Sequence, residues 1–345
     1  MNTKYRIVAI PGEGIGLEVV EAALTILKAV AQRHNFTVQI DRALIGKPAL
    51  AKYGSDFPEA TAQLCEGADG IVFGAVNKGG LLELRQRFDF FANLRPVKTH
   101  PSLLDKSSLK SDRLKDVDIL FVRELVSGIY FGKSGRGKSD GYHTMYYADR
   151  QIKRIAEVAL QQARQRRKLL TVAHKENALP HISWTKLVTA VAKDYPDVTV
   201  VPMLVDNLAM QLVIDPQCFD VIVAGNLFGD ILSDIGGALV GSIGLLGSAS
   251  LNSRGFGLYE PVHGTAPDIA GKNVANPFGA IASIMMMLAQ WKEVKAVTDI
   301  QQVWDKILAQ GYRTADLNPQ RTEILVDTQE LVTLFLELLA VSDRA

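Results

Sequence analysis

The chain has 345 residues, 48% hydrophobic and 22% charged, with 38 basic against 37 acidic side chains and a formal net charge of +1. This composition suits a soluble globular chain with core enough for a two-domain subunit, and the balanced charge leaves no field to recruit nucleic acid or an anionic membrane. No apolar run reaches the roughly 18 residues of a membrane span and MNTKYRIVAIPGEG lacks the apolar core of a secretory signal, so a cytoplasmic location is expected.

Taken in order, short β-rich runs alternate with segments of helical period, the pattern of an α/β fold. YRIVAI is a strand, followed by a helix over Glu18 to Arg33, the strand FTVQI, a helix around Ala60 to Cys65 and the strand GIVFGAV. Residues 98–116 break the alternation as a polar surface excursion. VDILFVREL restores it, and FGKSGRGKSDGYH then reads as an exposed loop or arm. A long helix begins at Asp149; the strand LLTVAH, a helix over Trp184 to Lys193, VTVVPMLV, a helix from Asn207 and FDVIVAG follow. The helix from Leu227 runs into the glycine-rich GGALVGSIGLLGSASLNSRGFG. Helices over Pro277 to Trp291, Gln301 to Gln310 and Gln329 to Ala340 complete the reading. The RQRRK cluster, Arg164 to Lys168, closes a helix, where solvated cations complement the C-terminal dipole. Cys65 and Cys218 are expected as reduced, buried thiols without zinc-site spacing.

NLFGDILSD sets Asp230 and Asp234 four residues apart, so their carboxylates are helical neighbours at a cost of about 0.2–0.5 kcal/mol unless something compensates. A solvated helix edge would tolerate them; a divalent cation would exploit them. Asp206, after VTVVPMLV, is either an N-cap or a third acid for such an ion, since hard cations take oxygen ligands from a few carboxylates. Lys175 in VAHKENALP lies just past a strand, where α/β sheets hold ligands. It serves as a base near neutrality only if its environment depresses a reference pKa of about 10.4; otherwise it is a surface lysine.

Five segments together, GNLFGDILSD, LVDNLAMQLV, YEPVHGTAPDIAGKNVANP, FFANLRP and VREL-x-x-GIYFG, resemble the β-decarboxylating dehydrogenases of (R)-hydroxyacids, the isocitrate/isopropylmalate dehydrogenase family. The resemblance implies an α/β fold of two lobes sharing a central sheet: residues 1–94 plus 246–345 as the cofactor-binding lobe and 95–245 as the dimerisation and metal/substrate lobe. It is not a Rossmann fold, and PGEGIG indeed lacks the full G-x-G-x-x-G spacing. The implied activity is NAD-dependent oxidative decarboxylation of a 3-substituted (R)-malate, 3-isopropylmalate giving 2-oxoisocaproate and CO2 as in leucine biosynthesis. Homoisocitrate and D-malate are alternative substrates, and a non-catalytic nucleotide-binding protein on the same fold is an alternative of another class.

The same resemblance implies a homodimer with shared active sites. Asp230 and Asp234 would ligate Mg²⁺ or Mn²⁺ with Asp206 of the second subunit, and that ion would let the acids coexist. Arg85, Arg95 and Arg123 would clamp the malate carboxylates, a task suited to planar guanidinium forks. Lys175 would help remove the C2 hydroxyl proton and Tyr130 would protonate C3. Asp268 would bind the adenosine ribose hydroxyls and repel a 2′-phosphate, favouring NAD, while Ile15, Glu260, His263, Gly264 and Asn276 belong to the cofactor region.

GAVNKGGLLELR departs from the family pattern. Only NKGG separates the strand from the Leu-Leu-x-Leu-Arg element, and Lys78 stands where the family carries an acid near nicotinamide and substrate. Leu81 and Leu82 would line the pocket for the C3 substituent and favour an alkyl or aryl group, whereas Lys78 could reach a distal acid or point to solvent.

Overall fold

A computed structural model describes residues 3–341. The chain runs through β1 (Lys4–Gly12), α1 (Gly16–Arg33), β2 (Thr37–Arg42), α2 (Lys47–Tyr53), α3 (Glu59–Glu66), β3 (Gly70–Ala75), α4 (Leu81–Arg87) and β4 (Ala92–Lys98). It continues with α5 (Ser111–Leu114), β5 (Asp118–Glu124), β6 (Ser134–Arg136), β7 (Gly141–His143), α6 (Asp149–Arg164), β8 (Leu169–His174), α7 (Trp184–Ala192) and β9 (Thr199–Leu204). Then come α8 (Val205–Ile214), β10 (Val221–Ala224), α9 (Asn226–Val240), β11 (Gly247–Leu251) and β12 (Gly257–Pro261). Last are α10 (Phe278–Gln290), α11 (Val294–Ala309), β13 (Tyr312–Arg313), β14 (Ile324–Leu325) and α12 (Thr328–Val341). The fold is mixed α/β with a large central sheet, as the alternation predicts.

Two compact units divide the chain: one holds residues up to Phe88, Gly241–Ala249 and those from Ser253 onward, the other Asp89–Val240 with Ser250–Asn252. Residues 89–94, expected in the first lobe, go with the second unit because β4 pairs antiparallel with β5. Residues 241–245, expected in the second lobe, go with the first, where Val262 N–H bonds to Leu246 O at 2.9 Å just beyond them.

In the first unit β1 lies between β2 and β3, and β12 joins β3, all parallel. Their buried residues, among them Ile7, Val8, Ile71, Phe73 and Leu258, pack with Val20, Leu24 and Leu27 of α1 and Ile281, Ile284 and Leu288 of α10. In the second unit β5, β10, β8 and β9 are parallel in that order. Ile152, Ile155, Ala159 and Leu160 of α6 are buried there at helical spacing. The parallel strands therefore end together within each unit, and the loops after their carboxyl ends are where an α/β sheet presents ligand groups.

Several elements differ from expectation. The 131–143 segment, expected as an exposed loop or arm, is exposed and carries a small antiparallel hairpin, β6 with β7. The glycine-rich run hides β11, a strand of small residues because a helix lies against it: a Cβ at Gly247 would fall 2.6 Å from Ser283 N. α8 begins at Val205, so Asp206 lies in its first turn and is not its N-cap. The RQRRK cations are ion-paired rather than simply solvated, Arg164 with Asp197 at 2.7 Å and Arg166 with Asp118 and Asp220 at 2.6 and 2.8 Å. Both cysteines are free, but Cys218 is exposed and only Cys65 is buried. Among the described residues no helix is long and apolar enough to cross a membrane.

Candidate active site

In the second unit the site is built on one stripe of α9. Asn226, Gly229, Asp230, Ser233 and Asp234 recur at three- and four-residue steps and so share a helix face. Glycines let that face approach the strands beneath: a Cβ at Gly229 would meet Arg123 Cγ at 2.8 Å, and one at Gly236 would meet Val97 Cγ2 at 2.4 Å. Arg123 of β5 stands opposite Asn93 of β4, so Asn93, Arg95 and Arg123 project from one face of the β4–β5 pair.

The arginines rise into the acids. Arg123 Nη1 donates to Asp230 Oδ1 at 2.5 Å, and its Nε and Nη2 donate to Asn226 Oδ1 at 3.1 and 2.8 Å. Arg95 Nη1 reaches Ser233 Oγ at 2.8 Å and Asp234 Oδ1 at 3.2 Å, its Nη2 lies 3.3 Å from Asp230 Oδ1, and its Nε donates to Asn93 Oδ1 at 2.9 Å. Within the chain, two buried guanidiniums thus stand against Asp230 and Asp234 and offset part of their mutual repulsion. Tyr130 OH donates to Asp230 Oδ2 at 3.2 Å, and the Arg123 guanidinium lies 6.0 Å from its ring centre. Burial, then the Asp230 charge, pushes the Tyr130 hydroxyl above its ordinary pKa, so the phenol keeps its proton.

Asp234 is raised as well, chiefly by burial, with Arg95 opposing the shift. The fold therefore binds this proton more tightly than the unfolded chain. Ionising Asp234 destabilises the fold as pH rises from the unfolded value, about 3.9, through the raised folded value, and the cost is complete above it. Asp234→Asn is thus expected to melt higher than wild type near neutral pH, with the gap closing below about pH 3.9. Thermal melts across that range check this; a gap that does not change with pH contradicts it.

Lys175 and Asp206 follow the ends of adjacent parallel strands, His174 of β8 standing beside Leu204 of β9. They form their own pair, Nζ to Oδ1 at 2.7 Å, and the lysine's hydrogen bond holds the Asp206 carboxyl below the usual range. An apolar pocket beside Lys175 is lined by Tyr147, Leu179, Ile182, Trp184, Leu227 and Phe228. Asp206 does not join Asp230 and Asp234. Among the described residues no group of three or more His, Cys, Asp or Glu could hold a metal ion. Asp230 and Asp234, with 33% and 54% of their side chains exposed, offer hard oxygen donors that fit a divalent cation, but one chain supplies only two.

In the first unit the remaining candidates follow β1, β3 and β12. Ile15 N–H donates to Thr265 O at 3.0 Å, and a Cβ at Gly14 would lie 1.9 Å from that oxygen, so the PGEGIG turn seats against the loop bearing His263, Gly264 and Asp268. His263 is buried, its Nδ1 2.9 Å from Gly264 O, while Nε2 has no partner. Burial depresses its pKa and keeps the ring neutral. A buried nitrogen without a partner, next to open space at Gly264 and an exposed Asp268, fits a nucleotide. Asn276 is committed to the fold: Oδ1 accepts from Phe278 N–H and Nδ2 donates to Asp316, both at 3.0 Å.

Arg85 and Glu260 form a buried pair at 2.8 Å, joining a residue expected at substrate to one expected at cofactor. Arg85 Nε is buried without a partner. Leu81 and Leu82 open α4, and Leu82 is exposed. Lys78 is exposed on a tight turn; a Cβ at Gly79 (φ +79°) would fall 2.0 Å from Asp56 Oδ2. Sequence reasoning missed Asn93, Asn226, Ser233 and Asp316. The first three carried a usable signal, Asn93 sharing a strand face with Arg95 and the other two sharing the helix face of the acids.

A family described as isocitrate/isopropylmalate dehydrogenase matches residues 6–334. A 3-isopropylmalate dehydrogenase of Campylobacter jejuni is 44% identical over 352 aligned positions, covering 97% of this chain and 98% of that protein. One from Chlorobium chlorochromatii is 44% identical, with 91% and 93% covered. Among solved structures, isocitrate dehydrogenase from Methylococcus capsulatus superposes with a TM-score of 0.88 at 30% identity, covering 97% of this chain and 99% of that one.

Proposed function

The chain belongs to the isocitrate/isopropylmalate dehydrogenase family, and from that premise we propose that it oxidatively decarboxylates a 3-substituted (R)-malate, 3-isopropylmalate to 2-oxoisocaproate and CO2, with NAD and Mg²⁺ or Mn²⁺ in the cytoplasm. The observation that carries this reading is the α9 cluster: two buried arginines, two part-exposed acids and a protonated tyrosine within one bonded network. A binding module has no need of that acid. The 3-isopropylmalate dehydrogenase relatives support the choice of substrate.

When bound, NAD would accept the hydride from C2 and a divalent cation held by Asp230 and Asp234 would polarise the C2 oxygen. Arg95 and Arg123 bind and orient substrate carboxylates, their forks preset by Asn93, Ser233 and Asn226 so that little freedom is lost on binding. Arg85, with its unpartnered Nε, makes the same class of contact. Lys175 takes the hydroxyl proton at C2, and Tyr130 returns a proton to C3 after CO2 has left. Because Lys175 and Asp206 pair apart from Asp230, these two serve a second copy of the chain. Exposed Met210, Val213, Ile214 and Ile231 on α8 and α9 favour such a homodimer.

The test is NADH formation on a panel of 3-substituted malates with and without Mg²⁺ or Mn²⁺. Turnover of 3-isopropylmalate that stops on chelation is expected, and no turnover on any member despite NAD binding would reject an enzymatic role. Exposed Lys78 favours a second reading, a substrate with a distal carboxylate, which turnover confined to homoisocitrate would select. For the cofactor, Asp268→Ser should raise NADP use relative to NAD about five- to tenfold by removing one exposed negative charge. Unaltered discrimination between the two would remove Asp268 from the ribose site.

A further inference from the structure

We propose that Asn226 is a positioning residue that fixes Arg123 and Tyr130 to each other, an inference that rests on the roles just given to those two. The Asn226 side chain is 1% exposed and every hydrogen-bonding position on it is used. Its Oδ1 accepts from Arg123 Nε and Nη2, at 3.1 and 2.8 Å. Its Nδ2 donates to Leu125 O at 3.0 Å and Ser127 O at 2.9 Å. An amide has two lone pairs on its oxygen and two N–H groups on its nitrogen, so these partners also set its orientation. Only an amide of this length can hold a cation on one side and two carbonyls on the other without a buried charge of its own.

Both partners lead to chemistry. Arg123 is the most buried guanidinium of the α9 cluster, and the 125–127 turn leads directly into the Gly128–Tyr130 helical turn that carries the phenol. Tyr147 closes the corner, its hydroxyl accepting from Asn226 N–H at 2.8 Å. Gly128 (φ +77°) and Gly225 must be glycine beside that ring, since a Cβ on either would fall 2.3 or 2.7 Å from Tyr147 Oη. One side chain thus sets the separation between the group that holds a substrate carboxylate and the group that delivers a proton. Proton transfer is steep in distance, so releasing the turn acts on kcat, whereas releasing the guanidinium acts on KM.

The experiment is a double-mutant cycle on the full chain with NAD, Mg²⁺ and 3-isopropylmalate. Asn226→Asp keeps the acceptor for Arg123 but opposes an oxygen to Leu125 O and Ser127 O. It should lower kcat about tenfold or more while KM for the malate stays within about threefold. Combined with Tyr130→Phe, the same substitution should change kcat by less than about twofold, because its effect runs through Tyr130. Asn226→Ser, which surrenders both functions, should lower kcat and raise KM. A purely structural role predicts the contrary: effects that multiply in the cycle and a KM that never moves. That result overturns the proposal, as does failure of both Asn226 variants to fold. Wild-type enzyme that turns over no malate rejects the functional reading instead, so the two failures are told apart.

Discussion

Tyr130→Phe is expected to lower kcat by about 10²- to 10⁴-fold with little change in melting temperature or in KM. The ring is 38% exposed and its hydroxyl's bond is to Asp230, so removing the oxygen leaves no buried partner stranded. Phe keeps the aromatic face toward the Arg123 guanidinium. What disappears is the proton that Tyr130 is proposed to deliver. Burial and Asp230 hold the phenol protonated beyond its ordinary pKa of about 10, so the proposed proton donation by Tyr130 should persist across the neutral range and be lost only above it. Steady-state rates and a pH profile check this; a variant within about threefold of wild-type kcat would place the acid elsewhere.

Arg85→Met should cost about 3–5 kcal/mol of stability, because it strands Glu260 as an unpaired charge with 8% of its side chain exposed. The double variant Arg85→Met with Glu260→Gln removes the charge as well and should regain most of that loss in denaturant melts, while staying inactive if Arg85 binds substrate as proposed. If the single and double variants are equally stable, the pair is not what holds Glu260 in the fold. If the double variant turns over normally, Arg85 does not bind substrate.

Much of the fold is legible because parallel strands buried on both faces read as short, largely apolar runs, and VDILFVREL and LLTVAH coincide with β5 and β8. β4 is not, because Asn93 and Arg95 are polar residues buried by partners more than 130 positions away in the chain, Ser250 of β11 and Ser233 of α9. β11 escapes for the opposite reason: its small residues answer to the helix laid against it and to no local preference. The site divides the same way. Asp230 and Asp234 are visible as an i, i+4 pair, but nothing local shows that Arg95 and Arg123 lie against them, since those contacts join distant segments. The motif resemblance names the arginines without showing that they bind the acids. Asn226 sits in the most telling motif of the chain and is passed over because its work, bonds to two carbonyls and a guanidinium, exists only after folding.

The most direct test of this account is a crystal structure of the protein with 3-isopropylmalate and Mg²⁺. Expected are the malate carboxylates on the Arg95 and Arg123 guanidiniums, the ion on Asp230 and Asp234, and Tyr130 Oη facing C3. A malate bound elsewhere, with both arginines still closed on their aspartates, would contradict it.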